Sequence, residues 1–163
     1  MNSQDPSCSE LPAGLPGRVL GIDFGDRRLG LAVSDPLRRI AQGLPTLHRE
    51  SKRHDLRTLK SLARDREVSL IVLGNPLNMN GTEGSQSLKV REFAGDLEQH
   101  VGIAVRLWDE RLTSVEAGRV FEQSGRKASR HPATVDQMAA VILLQSFLDS
   151  QQAAEPLAWE QGA

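Results

Sequence analysis

The segment Val19-Leu20-Gly21-Ile22-Asp23-Phe24-Gly25 has the period of a β-strand with two unlike faces. Leu20, Ile22 and Phe24 share one face, and Val19, Gly21, Asp23 and Gly25 share the other. A short polar turn, Asp26-Arg27-Arg28, leads into residues 29–34, where Leu29, Leu31 and Val33 face one way and Gly30, Ala32 and Ser34 the other. Two adjacent strands of this kind predict a hairpin. Its small-residue face leaves room for another part of the structure to lie close against the sheet. Asp23 stands out in this pattern. An aspartate is disfavoured inside a strand, and burying an unpaired carboxylate is costly. It is therefore either a strand-end acceptor for a neighbouring turn or a ligand, with the flanking glycines opening space around it.

The rest of the chain reads as an alternation of strands and helices. A third strand is predicted over residues 40–47, with Pro45 weakening its far end. Leu56, Leu59, Leu62 and Ala63 fit a helix over residues 55–66, and the apolar run of residues 70–74 fits a strand covered on both faces. A loop rich in Asn, Gly, Thr and Ser follows, over residues 75–85. Val90, Phe93, Ala94 and Leu97 mark a second helix, and residues 103–108 a fifth strand. Thr113 with Glu116 forms a capping box for a short helix, and Thr134 with Gln137 another for a closing helix that runs to about residue 148. The order βββαβαβαα predicts a mixed five-stranded α/β sheet with helices packed on its faces, the order expected of a ribonuclease H-like domain.

A length of 163 residues suits one domain with one core. The expected folded unit is residues 18–150, between a loose N-terminal stretch, 1–17, and a loose C-terminal one, 151–163. Twenty Lys and Arg against 21 Asp and Glu give a net charge of −1, which excludes a protein that coats nucleic acid through global charge and permits a local basic patch. The one cysteine, Cys8, offers no disulfide framework or thiolate metal site. Residues 1–17 have neither a basic leader nor an apolar core, and no apolar run reaches membrane-spanning length. These features together lead to the expectation of a cytoplasmic protein without membrane partners. Four Phe, two Trp and no Tyr provide no evident stacking platform for single strands.

Two further acidic positions belong beside Asp23. Asp109 and Glu110 end the fifth strand and, being adjacent, point to opposite faces, so at most one of them aims at the site of Asp23. Asp136 falls in the first turn of the predicted closing helix, where an acid complements the helix dipole. That helix is nevertheless apolar through Val135, Met138, Ala139, Ile142, Leu143 and Phe147, and Asp136 shares its side with Ala139, Ala140 and Leu143. Converging carboxylates without a Cys or His cluster suit Mg²⁺ or Mn²⁺, and paired divalent ions are a general means of hydrolysing phosphodiesters. On this reading Asp23, Glu110 and Asp136 are both catalytic residues and metal ligands, with Asp109 as the substitute for Glu110.

Four motifs carry a resemblance. They are Gly21-Ile22-Asp23-Phe24-Gly25 with Arg28-Leu29-Gly30-Leu31-Ala32-Val33-Ser34-Asp35, then residues 74–83, then Asp109-Glu110-Arg111-Leu112-Thr113-Ser114, and lastly Asp136-Gln137-Met138-Ala139-Ala140. In this order they resemble the bacterial Holliday-junction-resolvase-like proteins, also described as pre-16S ribosomal RNA nucleases. The resemblance implies a ribonuclease H-like fold and a cytoplasmic nuclease, a hydrolase of ester bonds that helps mature the 5′ end of precursor 16S rRNA in ribosome biogenesis. It places the catalytic role on Asp23, on the Asp109-Glu110 pair with Glu110 preferred, and on Asp136. It also makes ribosomal precursor particles a partner. The better-known junction resolvases place an acid after the fourth strand, where this chain has Asn75-Pro76, so the fifth-strand acid must substitute.

Arg126, Lys127 and Arg130, in the loop before Asp136, are candidate phosphate contacts, as are Arg28 and Arg111. His48 and His54 read as surface residues. Three other functions compete: a branched-DNA resolvase; a non-catalytic RNA- or transcription-associated binding protein; and an ATP-binding module, since a Gly-Ile-Asp-x-Gly strand also opens sugar-kinase and actin-like folds. The last requires a second lobe that a chain of this length does not supply.

Overall fold

The hairpin at the head of the chain comprises β1 (Arg18–Phe24) and β2 (Arg28–Ser34), paired antiparallel with Asp23 opposite Gly30. These strands belong to a computed structural model that describes residues 16–112 and 132–154. β3 (Ala41–His48) pairs antiparallel with β2 and continues past Pro45, which an edge strand tolerates. β4 (Val68–Asn75) runs parallel to β1, and β5 (Ala104–Asp109) parallel to β4. The sheet order is β3-β2-β1-β4-β5, mixed and five-stranded as expected.

Three helices complete the described chain. α1 (Lys52–Asp65) starts earlier than its apolar periodicity indicates, because Ser51 caps it by accepting a hydrogen bond from the His54 N–H at 3.1 Å. α2 (Ser85–Val101) likewise extends beyond its apolar stripe at both ends and stops at Gly102, whose φ of 74° is the left-handed conformation of a helix terminator. α3 (Pro132–Ala154) begins before the expected Thr134 cap. Pro132 occupies the first helical position, where its ring-locked φ suits a helix start. The far end also departs from expectation, because Gln151-Gln152-Ala153-Ala154 are sound helix formers and the next proline is Pro156. The short helix expected from Thr113 lies outside the described residues. No described helix is long and apolar enough to cross a membrane.

Alternation along the strands sorts the core into two layers. Leu20, Ile22, Leu29, Leu31, Ile71 and Leu73 face α1 and α2 and pack with Leu56, Leu59, Val90, Phe93 and Leu97. On the opposite face Val19, Ala32, Leu70 and Val72 meet Ala140, Leu144, Phe147 and Leu148 of α3. The small face of the hairpin accommodates that helix. A Cβ on Gly21 would sit 2.8 Å from Leu144 Cβ, and on the neighbouring β3 one on Gly43 would sit 2.7 Å from Gln137 Cγ. Every position of α3 from Met138 to Leu144 is apolar, so its sequence does not choose a face; Val135, expected to be buried, is 42% exposed.

A buried ion pair supports the turn after β1. Asp55 is fully buried in the first turn of α1 and accepts a hydrogen bond from Arg49 Nε at 3.0 Å. The Arg49 guanidinium also donates to the Gly25 carbonyl at 3.1 Å and lies 4.7 Å from the Phe24 ring centroid. It thereby ties the two residues that follow Asp23 to the start of α1.

Candidate active site

Asp23 lies at the carboxyl end of β1 on the face that carries α3, as its alternation with Ile22 and Phe24 requires. Gly30 stands beside it on β2. A Cβ on Gly30 would come within 2.1 Å of the Asp136 carbonyl oxygen and 3.3 Å of Asp23 Cβ. The glycine therefore lets the backbone of α3 approach the strand next to Asp23. Asp136 is the fifth residue of α3 and not, as expected, in its first turn, because the helix starts at Pro132. Gln137 is not a capping partner either; its Nε2 donates to the Leu44 carbonyl at 3.0 Å.

From the other side of the sheet centre, β5 delivers Glu110. Alternation resolves the choice between the two adjacent acids. Glu110 begins a single 3₁₀ turn (Glu110–Leu112) and reaches over Gly74, where a Cβ would sit 2.5 Å from its Oε1. Its carboxyl proton is donated to the Asp23 carboxylate. Asp109 accepts instead from Arg111, whose Nη2 is 2.7 Å from Oδ2, and this hydrogen bond holds the Asp109 carboxyl below its ordinary value.

The two acids that meet are strongly coupled. Burial, with the negative charge of Asp23 and the hydrogen bond to it, pushes Glu110 from 4.5 up to about 7. Burial and the charge of Asp136 raise Asp23, against the lowering effect of the hydrogen bond from Glu110. In the ion-free protein Glu110 binds its proton more tightly folded than unfolded. Its contribution to stability is therefore complete below pH 4.5 and lost as the pH rises through about 7. Melting temperature is expected to fall across that window, and Glu110→Gln to flatten much of the fall. Parallel melts of the two proteins across the pH range check this, and identical profiles would contradict it.

Asp136 faces the same corner but carries its own cation: Arg28 Nε lies 2.7 Å from Asp136 Oδ2. Among the described residues, no three Asp, Glu, His or Cys side chains stand together as a ready-made ion cage. The donor chemistry nevertheless suits a hard divalent cation. All three groups are carboxylates, and two of them share a proton at a position where a cation would let both ionise. Asp23 and Glu110 would hold the ion, with Asp136 as a further oxygen donor on release from Arg28.

The remaining candidates divide clearly. Arg28 belongs to the site through Asp136, while Arg111 braces the neighbouring loop by donating to the Met79 carbonyl at 3.3 Å. Arg126, Lys127 and Arg130 lie outside the described residues. Asn75 occupies the place of the missing acid and is buried, accepting from Ser87 Oγ at 2.6 Å. It alternates with Gly74 and so turns toward α2, away from Asp23. Sequence reasoning missed Arg49 and Asp55, whose only signal was an aspartate in the first turn of a helix rich in basic residues.

Comparisons with known proteins identify the family and the fold. A 48% identical relative from Koribacter versatilis, aligned over 85% of this chain and 90% of its own length, bears the name "Putative pre-16S rRNA nuclease". A Clostridium botulinum protein of the same name is 46% identical over 82% of this chain and 97% of its own. Among solved structures, Thermus thermophilus RuvC in complex with a Holliday junction superposes with a TM-score of 0.53 at 16% identity, covering 86% of this chain and 99% of that one. The fowlpox virus resolvase bound to junction DNA gives a TM-score of 0.53 at 12% identity, over 82% and 98% of the two chains. At such identities the likeness is one of fold, and it is the ribonuclease H-like fold. With residues 17–150 matched by the family described as "RuvX: Holliday junction resolvase", this chain belongs to the RuvX family.

Proposed function

We propose that the protein is a divalent-ion-dependent endonuclease that cleaves the 5′ region of precursor 16S rRNA in the cytoplasm, on ribosomal precursor particles. The observation that carries this reading is the meeting of Asp23 and Glu110 at the carboxyl edge of the sheet, with Asp136 approaching over Gly30. Bound Mg²⁺ or Mn²⁺ would supply Lewis-acid activation of a water and charge stabilisation on the leaving oxygen. Asp23 and Glu110 provide the paired oxygens, and their proton is released when both ionise. Arg28 holds Asp136 before substrate arrives and is placed to take a phosphate oxygen when that contact opens. The basic residues Arg126, Lys127 and Arg130 precede Asp136 in the sequence and would add phosphate contacts.

The names of the relatives favour precursor rRNA as substrate, and the family description supports a four-way DNA junction as the second reading. One experiment addresses both. The purified protein is incubated with 5′-extended 16S precursor RNA and, separately, with a four-way junction, each with and without Mn²⁺. Cleavage of the RNA only in the presence of the ion is the expected result. Cleavage of the junction alone would transfer the activity to DNA, and cleavage of neither would overturn the proposal.

A further inference from the structure

The strongest unassigned feature is the charge pattern of α1, on the sheet face opposite α3. Arg53, Arg57, Lys60 and Arg64 are all exposed and follow one another at i, i+4, i+7 and i+11. At about 100° per residue they fall within a sector of roughly 60°, and at 1.5 Å per residue they span about 16 Å. Arg53, Arg57 and Lys60 have no ion-pair partner among the described residues, and Arg64 meets only Asp65, at 3.8 Å.

A helix that merely faces water gains from acids placed three or four residues from its bases. Here each of the four has another base at that spacing, which repels, and no acid within the helix stands there; Arg53 also lies at the helix N-terminus, where the dipole disfavours a cation. The one acid of the helix interior, Asp55, is buried and engaged by Arg49. This is an arrangement that a polyanion would relieve.

The stripe borders a groove of about 500 Å³. Arg57, Lys60 and Arg64 form its basic wall, and Val68, Val101 and Ile103 are among its apolar lining, with Glu67 as its one acid. The start of α1 is tied through Arg49 to the turn after Asp23, so the stripe runs from beside the catalytic edge toward the opposite edge of the sheet.

We propose that this stripe and groove form a second nucleic-acid contact, which takes the phosphate backbone of the substrate several nucleotides away from the scissile bond. Its length corresponds to about five base steps at 3.4 Å each. Arginine, which dominates the stripe, offers the planar fork that suits phosphate oxygens. The inference rests on the nucleic-acid reading of the active site, but it concerns a surface that reading does not use.

The test is Arg57→Gln/Lys60→Gln/Arg64→Gln, with circular dichroism as the check that α1 remains folded. Affinity is measured by fluorescence polarisation at several salt concentrations, on a long precursor RNA and on a short duplex that spans only the cleavage site. For the long RNA the variant is expected to bind at least tenfold more weakly, and its log affinity against log salt should be shallower by about 2 to 3. Cleavage of the short duplex should be unchanged. Wild-type affinity and slope on the long RNA would overturn this proposal and leave the active-site reading intact. If the wild-type protein bound no nucleic acid, both would fall. Loss of poly-glutamate binding with RNA binding retained would reassign the surface to an acidic protein and overturn the proposal.

Discussion

Asp23→Asn should reduce ion-supported phosphodiester cleavage by about 10³-fold or more while the fold stays intact. Asp23 is the acid that meets both of the others: Glu110 donates to it, and the charge of Asp136 acts on it. Removing its charge takes away the ligand best placed to hold an ion together with Glu110. The transition-state stabilisation that a divalent ion supplies is worth several kcal/mol, and each 1.36 kcal/mol is about a factor of ten in rate. Asparagine keeps the volume of aspartate and can donate to an ionised Glu110, so packing around β1 has no reason to change. In the ion-free protein at pH 8, removal of one of two repelling carboxylates should raise the melting temperature by about 2–4 °C. Single-turnover cleavage with Mn²⁺ and thermal melts, measured on the same preparation, check both halves. Full activity in the variant would remove Asp23 from the chemistry.

Gly30→Ala is the second large effect, and it acts through geometry alone. Its new methyl group would have to fit 2.1 Å from the Asp136 carbonyl oxygen and 3.3 Å from Asp23 Cβ. No such contact is tolerated, so the start of α3 must move away from the sheet and carry Asp136 with it. Overpacking of this kind costs about 1–3 kcal/mol, and a displacement of about 1 Å at a reacting group can cost about 10²-fold in rate. Gly95→Ala in α2 is the matched control. A Cβ there meets nothing within 4 Å, and replacing a helix-interior glycine should stabilise the protein by about 0.5–1 kcal/mol with activity unchanged. Urea melts and cleavage rates of the two variants separate loss of flexibility from loss of space. If Gly30→Ala matched the wild type in both, the close approach of α3 would have no role in placing the site.

Much of the architecture was legible because it is local. The period of two in β1 and β2 put Asp23 on the small-residue face before any partner was known, and the glycines of that face signalled that an element would lie against it. The same alternation required that only one of Asp109 and Glu110 could face Asp23. The helices were less well bounded, since Ser51, Ser85 and Pro132 start them outside the apolar stripes that reveal them.

Sequence alone therefore determined the two faces of the sheet and the acids available to one of them, because side-chain direction along a strand depends only on the residue count. Tertiary structure decided which acids meet. Glu110 reaches Asp23 only because β5 pairs with β4 in a register that sets Trp108 beside Gly74, and Asp136 finds Arg28, 108 residues away, only because α3 docks on a floor of glycines. The burial that raises Glu110 toward neutrality likewise belongs to no short segment of chain, since it arises from elements far apart in sequence closing over one corner of the sheet.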